Sequence, residues 1–240
     1  MFVDIHNHLL PGVDDGPKDL TTAHLMAKLA VKGGTEIMAA TPHRAYSQRR
    51  DAPRDWVIEH TMSLQQSLRS AGIRLTVVPG VEIQFGPNVV SDLVTGHLCT
   101  LGDAGKWALI EPPFDGLPEN GLEIIDELSQ AGIGVVLAHP ERNSIIQRDL
   151  TFAGECVQRG CILQVTTGSI LGDFGPNARR TAEAILTHHA EWPLVIASDS
   201  HDPIHRRTNL MAAARNTAAR ITGNEAAEVM VNARPRSLIS

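Results

Sequence analysis

The chain alternates short apolar runs with longer amphipathic segments along its whole length. The apolar runs are rich in Val, Ile and Ala and lack strict polar alternation, a pattern typical of strands covered on both faces. Seven such runs predict strands over 2–6, 35–41, 74–81, 106–111, 133–138, 161–166 and 193–198.

The amphipathic segments between these runs predict helices, because several begin near a proline and end before a glycine. They cover 17 to 33 or 34, 53–71, 119–131, 150–158, 176–189, 204–221 and 225–232. Repeated strand–helix units predict a parallel sheet in an α/β fold. We expect a (β/α)7 TIM-like barrel, with an open doubly wound sheet as the alternative. No linker, repeat or charge block divides the sequence, which predicts a single domain over 1–240.

Composition narrows the classes of function. With 42% hydrophobic residues, 20% charged residues and a net charge of -6, the chain is unlike a disordered segment, a basic nucleic-acid-binding protein or a basic membrane anchor. No nucleotide-binding glycine motif occurs, so we expect no nucleotide cofactor. No signal peptide and no apolar run of about 18 residues is visible, so we expect a cytoplasmic protein that does not insert into a membrane.

The cysteines exclude one familiar mechanism of phosphate ester hydrolysis. A cysteine-dependent phosphatase needs an arginine six positions after its nucleophile, and Gly105, Ile162 and Thr167 occupy those positions here. The three cysteines also form no C-x-x-C pair, which fits a reducing compartment without a structural zinc site.

Histidines and carboxylates follow the ends of the predicted strands, and the chain holds 11 His residues in all. The carboxyl ends of the strands of a parallel barrel converge on one face. His6 and His8 lie two apart on an extended chain, so both rings project to the same side. Imidazole and carboxylate without thiolate predict Zn, Mn or Fe, with carboxylates able to bridge two ions. The candidate ligands are His6, His8, His43, Glu82, Glu111, His139, Asp199 and His201.

Six motifs together resemble the polymerase and histidinol phosphatase (PHP) superfamily, and within it the bacterial protein-tyrosine phosphatases encoded with capsule and exopolysaccharide genes. They are Asp4-x-His6-x-His8, Pro11-Gly12-Val13-Asp14-Asp15-Gly16-Pro17, Thr41-Pro42-His43, Gly80-Val81-Glu82, Ala138-His139-Pro140-Glu141-Arg142 and Ser198-Asp199-Ser200-His201. The resemblance implies a distorted seven-stranded barrel and three divalent ions, most often manganese, with Fe, Zn, Co or Mg as other choices. It assigns His6, His8, Glu82 and Asp199 to one ion, Glu82, Glu111 and His139 to the second, and Asp15, His43 and His201 to the third.

The resemblance also implies hydrolysis of phosphotyrosine in the tail of a bacterial tyrosine autokinase that controls capsule or exopolysaccharide synthesis. Arg142, with Arg206 or Arg207, is the candidate for neutralising the phosphoryl oxygens. His201 or a bound water is the candidate for giving the leaving phenolate its proton. The basic stretch 44–54 after His43 is a solvated loop or a rim that grips an acidic phosphopeptide, and its candidate residues are Arg44, Arg49 and Arg50.

Three alternatives stay open at this point. The chain could hydrolyse histidinol phosphate or another small phosphate ester with the same metals. It could be a metal-dependent amidohydrolase or nuclease on a similar barrel, although no lysine lies at a strand end. It could also be a non-catalytic regulatory module that binds metal. The sequence leaves the oligomeric state open.

Overall fold

The computed structural model describes residues 1–44 and 52–240, and in these ranges every strand pairing is parallel. The described strands are β1 (Phe2–Asn7), β2 (Thr35–Ala40), β3 (His43–Arg44), β4 (Thr76–Pro79), β5 (Glu82–Gln84), β6 (Trp107–Glu111), β7 (Gly134–Ala138), β8 (Ile162–Thr166) and β9 (Leu194–Ala197). One sheet has the order β1-β2-β4 and the other has the order β3-β5-β6-β7-β8-β9. The predicted parallel α/β fold is confirmed.

Two of the seven predicted strands are each followed by a short strand that lies outside the predicted bounds. The predicted strand 35–41 stops at Ala40, and β3 begins after Pro42, which has no N–H to give to a sheet. The predicted strand 74–81 gives β4, which ends at Pro79, and β5 begins at Glu82, after Gly80, where a Cβ atom would lie 3.0 Å from the Thr41 methyl carbon. β2 pairs with β4 in the first sheet, and β3 pairs with β5 in the second. The chain segments 35–44 and 76–84 therefore pass side by side from the first sheet into the second.

The first seven helices lie in the connections between the strands, and the last three follow β9. They are α1 (Leu20–Lys32), α2 (Arg54–Ser70), α3 (Val89–Val94), α4 (Gly121–Gln130), α5 (Thr151–Gln158), α6 (Thr167–Leu171), α7 (Gly175–Thr187), α8 (Met211–Thr222), α9 (Asn224–Glu228) and α10 (Arg234–Leu238). Short 3₁₀ turns cover Leu101–Asp103 and Pro140–Arg142, and a π-helical turn covers Val229–Ala233. None of the helices in the described ranges has the length and apolarity needed to cross a membrane.

Two helices begin later than the sequence pattern predicts. The α1 helix starts at Leu20, not at residue 17, because the Asp19 side chain caps it by accepting the N–H of Thr22 at 2.8 Å. The α8 helix starts at Met211, not at residue 204. Asp202 holds the chain in a tight loop there, since its carboxylate accepts three successive backbone N–H groups, those of residues 204, 205 and 206.

The chain's C-terminal helical region also differs from the prediction of one short helix over 225–232. It consists of α9, the π-helical turn and α10 in succession, and it continues to Leu238. Pro235 lies in the first turn of α10, where its missing N–H costs nothing, and the π-helical turn accommodates the change in hydrogen bonding before it.

The first and last strands meet at their carboxyl ends. The Asp199 N–H donates to the His6 carbonyl oxygen at 2.8 Å, and the His8 N–H donates to the Ser200 carbonyl oxygen at 2.9 Å. Apolar side chains from both sheets share one cluster beneath this seam, including Ile5 of β1 and Val195 of β9. The seam therefore brings residues from the two ends of the sequence to the face where the other strands also end.

Candidate metal centre

All nine predicted metal ligands lie together, eight of them in strands or shortly after strand ends and Asp15 in the loop after β1. Four groups of their ligand atoms each lie within 4.8 Å of one another. The groups are His8, Asp15, His43 and His201; His6, His8 and Asp199; His6, Glu82 and His139; and His43, Glu82 and Glu111. These groups share members, so the nine side chains form one continuous cluster.

Glu82 occupies the middle of this cluster and is fully buried at its carboxylate. Its Oε1 atom lies 3.1 Å from His6 Nε2 and 2.9 Å from His139 Nε2. Its Oε2 atom lies 2.9 Å from His43 Nδ1 and 3.3 Å from His8 Nε2. Each carboxylate oxygen therefore faces two imidazoles, which is the arrangement expected of a bridging carboxylate.

The carboxylates of Asp15 and Glu111 contact different histidines of the cluster. The Asp15 Oδ1 atom is 3.4 Å from His43 Nε2 and 3.3 Å from His201 Nε2, and its side chain is half-exposed. The Glu111 Oε1 atom is 3.6 Å from His139 Nε2. The loop residue Asp15, which strand-end spacing could not predict and only the family resemblance implied, is thus brought to the cluster.

Asp199 connects the imidazoles to two arginines. Its Oδ1 atom lies 3.5 Å from His6 Nε2 and 3.6 Å from His8 Nε2. Its Oδ2 atom accepts a hydrogen bond from Arg142 Nη1 at 2.8 Å and pairs with Arg206 Nη2. Of the two adjacent arginine candidates, Arg206 therefore lies at the site, whereas the side chain of its neighbour Arg207 is exposed.

The backbone at two of these positions is in the left-handed region that non-glycine residues rarely adopt. His139 has a φ of 33° and Asp199 has a φ of 49°. Such conformations cost about 1–3 kcal/mol each and concentrate at functional sites, where surrounding contacts hold them in place. The strain here aims both side chains into the cluster from the ends of β7 and β9.

Two histidine rings are oriented by partners on their outer side. His6 Nδ1 donates to Gln164 Oε1 at 2.8 Å, and His8 Nδ1 donates to Asp14 Oδ2 at 2.7 Å. In the neutral form of each ring Nδ1 carries the proton, so Nε2 then presents its lone pair to the cluster. The sequence does not predict that Asp14 orients a histidine, because an Asp-Asp pair in a loop is also typical of a turn.

The residues present fit divalent cations. His6 Nε2, His8 Nε2, His201 Nε2 and Glu82 Oε2 are buried, and none has a hydrogen-bond partner among the described residues. An unsatisfied buried polar atom costs about 1–3 kcal/mol, so a cluster of them that face one another is unfavourable unless something binds them. A divalent cation coordinated by these atoms would satisfy their lone pairs.

The charges of the cluster shift the pKa values of its carboxylates in two directions. Burial opposes ionisation of Glu82 and Asp199, but the surrounding histidines outweigh it and hold both pKa values well below the usual range. The pKa of Asp14 is likewise lowered to about 2, because its contacts with His8 outweigh burial. The pKa of Glu111 is raised by burial and by the neighbouring charge of Glu82.

The pKa values of the histidines also shift in both directions. Burial would lower the pKa of His43, but its contacts with the carboxylates of Asp15 and Glu82 outweigh burial and raise the pKa to about 10. The pKa of His8 is also raised, because its three carboxylate partners outweigh burial. The pKa of His201 is lowered by burial and by the charge of His8. Without ions, some imidazoles therefore hold protons that cations would have to displace.

The predicted substrate-binding arginines are only partly within the described residues. Arg44 follows His43 in β3, and its Nη1 atom donates to Asp92 Oδ2 at 3.2 Å. Arg49 and Arg50 lie outside the described residues.

Comparisons with known proteins show the family to which the chain belongs. The family model described as "Capsular polysaccharide synthesis, CpsB/CapC" matches residues 2–240. Tyrosine-protein phosphatase YwqE of Bacillus subtilis is 36% identical over 205 residues, covering 84% of this chain and 78% of that protein. Tyrosine-protein phosphatase CpsB of Streptococcus agalactiae is 24% identical over 247 residues, covering 99% and 98%. The resemblance to the capsule-type phosphatases is confirmed.

Solved structures give the same result at the level of the fold. A crystal structure from a study of YwqE from Bacillus subtilis and CpsB from Streptococcus pneumoniae, described as unique metal-dependent tyrosine phosphatases, superposes with a TM-score of 0.90. It has 31% identity and covers 99% of this chain and 94% of that one. A lactonase from Listeria monocytogenes shares the fold alone, with a TM-score of 0.61 and 10% identity over 100% of this chain and 94% of that chain.

Proposed function

Since the chain belongs to the CpsB/CapC family of capsular polysaccharide synthesis proteins, we propose that it is a metal-dependent protein-tyrosine phosphatase. The observation that carries the proposal is the buried cluster of five imidazoles and four carboxylates beside Arg142 and Arg206. The imidazoles and carboxylates suit divalent cations, and the two guanidinium groups suit a phosphoryl dianion.

We propose that the cluster holds three divalent ions, with manganese as the native metal. His6, His8, Glu82 and Asp199 would hold the first ion, Glu82, Glu111 and His139 the second, and Asp15, His43 and His201 the third. The overlap between the four groups of ligand atoms supports closely spaced ions that share Glu82. When bound, such ions lower the pKa of a coordinated water to about 7 and offset negative charge on phosphoryl oxygens.

The chain's own catalytic contribution comes from the two arginines. Arg142 Cζ lies 4.4 Å and Arg206 Cζ 5.6 Å from the centre of the Phe174 ring, which together with Asp199 holds both guanidinium groups beside the cluster. A guanidinium presents its N–H groups as a planar fork that matches phosphate oxygens. We assign Arg142 and Arg206 to binding the phosphoryl group, and we leave Arg207 outside the site.

His201 is better suited to holding an ion than to giving a proton to the leaving group. Its pKa is lowered, chiefly by burial, so the ring is neutral near pH 7. A tyrosine leaving group has a pKa of about 10 and departs with less help from a general acid than an alkoxide does. We therefore propose that the proton for the leaving group comes from solvent.

We infer that the two sheets form one distorted seven-stranded barrel in a single domain over 1–240. If β2 with β3 and β4 with β5 are each counted as one kinked strand, the strand order becomes continuous. The bridge between Asn7 and Ser200 supports closure between the first and last strands. A closed barrel explains why residues from both ends of the chain reach one site.

The substrate that we propose is phosphotyrosine in the tail of a bacterial tyrosine autokinase that controls capsule or exopolysaccharide synthesis, in the cytoplasm. Three buried cysteine thiols support a reducing compartment. We expect Arg49 and Arg50 to grip an acidic stretch of that tail. Replacing both by Ala should lower turnover of a phosphopeptide more than turnover of a small aryl phosphate, and equal losses would contradict this role.

The decisive experiment compares substrates on the metal-reconstituted protein. We expect a phosphotyrosine peptide to be hydrolysed in preference to a phosphoserine peptide and to histidinol phosphate. A chelator should abolish activity, and so should His6→Ala or Asp199→Ala. His24→Ala is the matched control, because His24 bonds Ser67 Oγ away from the cluster.

The outcome separates the alternatives. Preference for histidinol phosphate would assign the chain to small-molecule substrates, and metal binding without any hydrolysis would favour a regulatory module. Activity that survives the chelator or the Asp199 substitution would refute the metal mechanism.

A further inference from the structure

A groove of about 940 Å³ opens directly beside the metal centre. Its inner end is formed by Glu111, a predicted metal ligand, and by Gln84, whose Nε2 atom donates to Glu111 Oε2 at 3.3 Å. The rest of the lining comes from residues 85–90 and from residues 113–127, which comprise the loop before the α4 helix and most of that helix. Glu111 therefore belongs both to the cluster and to the lining of the groove.

Phe114 marks the junction between the groove and the centre. Its side chain is half-exposed, yet its ring stacks on the His139 ring with 5.9 Å between centroids and an interplanar angle of 13°. Arg142 Cζ lies 4.7 Å from the same ring. A large aromatic side chain left partly open between a metal ligand and a phosphate-binding arginine can contact the aromatic ring of a substrate.

The loop that carries Phe114 is held in place by the segment that follows His139. The Ser144 N–H donates to the Phe114 carbonyl oxygen at 2.8 Å. The Asn143 amide donates to the carbonyl oxygens of Pro113 at 2.6 Å and Gly116 at 2.7 Å. Because Asn143 is buried, these bonds are shielded from water, and the position of the Phe114 ring is fixed before a substrate arrives.

The outer wall of the groove is acidic. Glu119, Glu123 and Glu127 are exposed and line it, and Glu123 and Glu127 lie one turn apart on the same face of the α4 helix. At 1.5 Å per helical residue these two are about 6 Å apart along the helix axis, which matches about two residues of an extended peptide, and Glu119 adds a third carboxylate before the start of the helix. The described lining of the groove includes no lysine or arginine.

We propose that this groove binds the substrate polypeptide on one side of its phosphotyrosine, and that it selects a lysine or arginine within the first four residues of that side. The phosphotyrosine ring lies against Phe114, and the basic side chain lies against the row of glutamates. This inference rests on the proposed function and adds its sequence preference. An acidic residue at the same positions is disfavoured, because it would face three carboxylates and, among the described residues that line the groove, no lysine or arginine.

The test uses phosphotyrosine peptides in a neutral background, with lysine or glutamate at each of the first four positions on either side. We expect kcat/KM to be about fivefold higher for lysine than for glutamate on one side, a modest ratio because exposed ion pairs are weak. Raising the ionic strength should reduce this ratio. The triple variant Glu119→Gln, Glu123→Gln and Glu127→Gln should bring the ratio close to one.

A matched control removes the same number of charges elsewhere. Glu59→Gln, Glu191→Gln and Glu225→Gln change exposed glutamates outside the groove and should leave the ratio as in the wild type. A ratio near one in the wild-type protein, or a preference that survives the groove variant, would overturn the inference. Hydrolysis of para-nitrophenyl phosphate by the wild type then distinguishes failure of the groove assignment from failure of the proposed function. If the wild type hydrolyses this compound, only the groove assignment is wrong. If it does not, the proposed phosphatase function is wrong as well.

Discussion

Asp14 offers the sharpest test of how the protein prepares its metal centre. The carboxylate contacts three groups that shape the site: His8 Nδ1 at 2.7 Å, the His43 N–H at 3.1 Å and the Gly16 N–H at 3.0 Å. Asp14→Ala removes all three hydrogen bonds at once, because both acceptor oxygens are lost. Asp14→Asn keeps the size of the side chain and one acceptor oxygen, but it removes the charge.

The expected magnitudes follow from these contacts. Loss of a partner that orients a metal-binding histidine typically costs about 10–100-fold in metal affinity, or about 1.4–2.7 kcal/mol, and we expect this from Asp14→Ala. A hydrogen bond to a charged acceptor is roughly twice as strong as a neutral one, with a difference of about 1 kcal/mol. Asp14→Asn should therefore weaken metal binding by about fivefold.

Titration of the ion-free variants with Mn²⁺, followed by calorimetry, measures this effect, and thermal unfolding checks that each variant folds. Asp19→Ala is the matched control five residues away, because Asp19 caps α1 at the surface without contacting the cluster. We expect it to lower the melting temperature and leave metal affinity unchanged. If folded Asp14→Ala binds Mn²⁺ as tightly as the wild type, Asp14 does not orient His8.

Three further predictions concern neighbouring groups. Gln164→Leu removes the acceptor for His6 Nδ1, so Mn²⁺ affinity should fall about 10–100-fold, while Gln164→Glu restores an acceptor and should recover much of the loss in the same titration. Without ions His43 has a pKa of about 10 and is protonated at pH 7. Metal binding needs the neutral ring, so it should release protons into weakly buffered solution, and metal affinity should fall as the pH falls. Metal binding without proton release would contradict this prediction. Phe114→Ala should lower kcat/KM about 2–10-fold more for para-nitrophenyl phosphate than for glycerol phosphate, since a ring contact contributes about 0.5–1.5 kcal/mol; equal losses would exclude the contact.

The general fold and the residues of the centre were predictable because both depend on local signals. Strands buried on both faces are continuous apolar runs, and the histidines and carboxylates that end them gather once the strands are parallel. Asp15 was placed only through the family resemblance, since nothing in the spacing of a loop residue shows which strand end it will meet.

The remaining features depend on contacts between distant parts of the chain. Asp14 and Gln164 orient histidines only because the fold brings them to the outer side of each ring. Phe114 lies at the centre because Asn143 and Ser144 hold its loop. The late start of α8 comes from the Asp202 side chain, whose competition with the helix depends on how the loop packs.

The seam between the first and last strands has a consequence for folding and biosynthesis. His6 and His8 leave the ribosome about 190 residues before Asp199, His201 and Arg206 do. Contacts of such long sequence separation form late, because the chain must first lose the entropy of a large loop. A nascent chain therefore has no complete metal centre, and an ion cannot template the early steps of folding. The enzyme acquires its activity only when β9 docks beside β1.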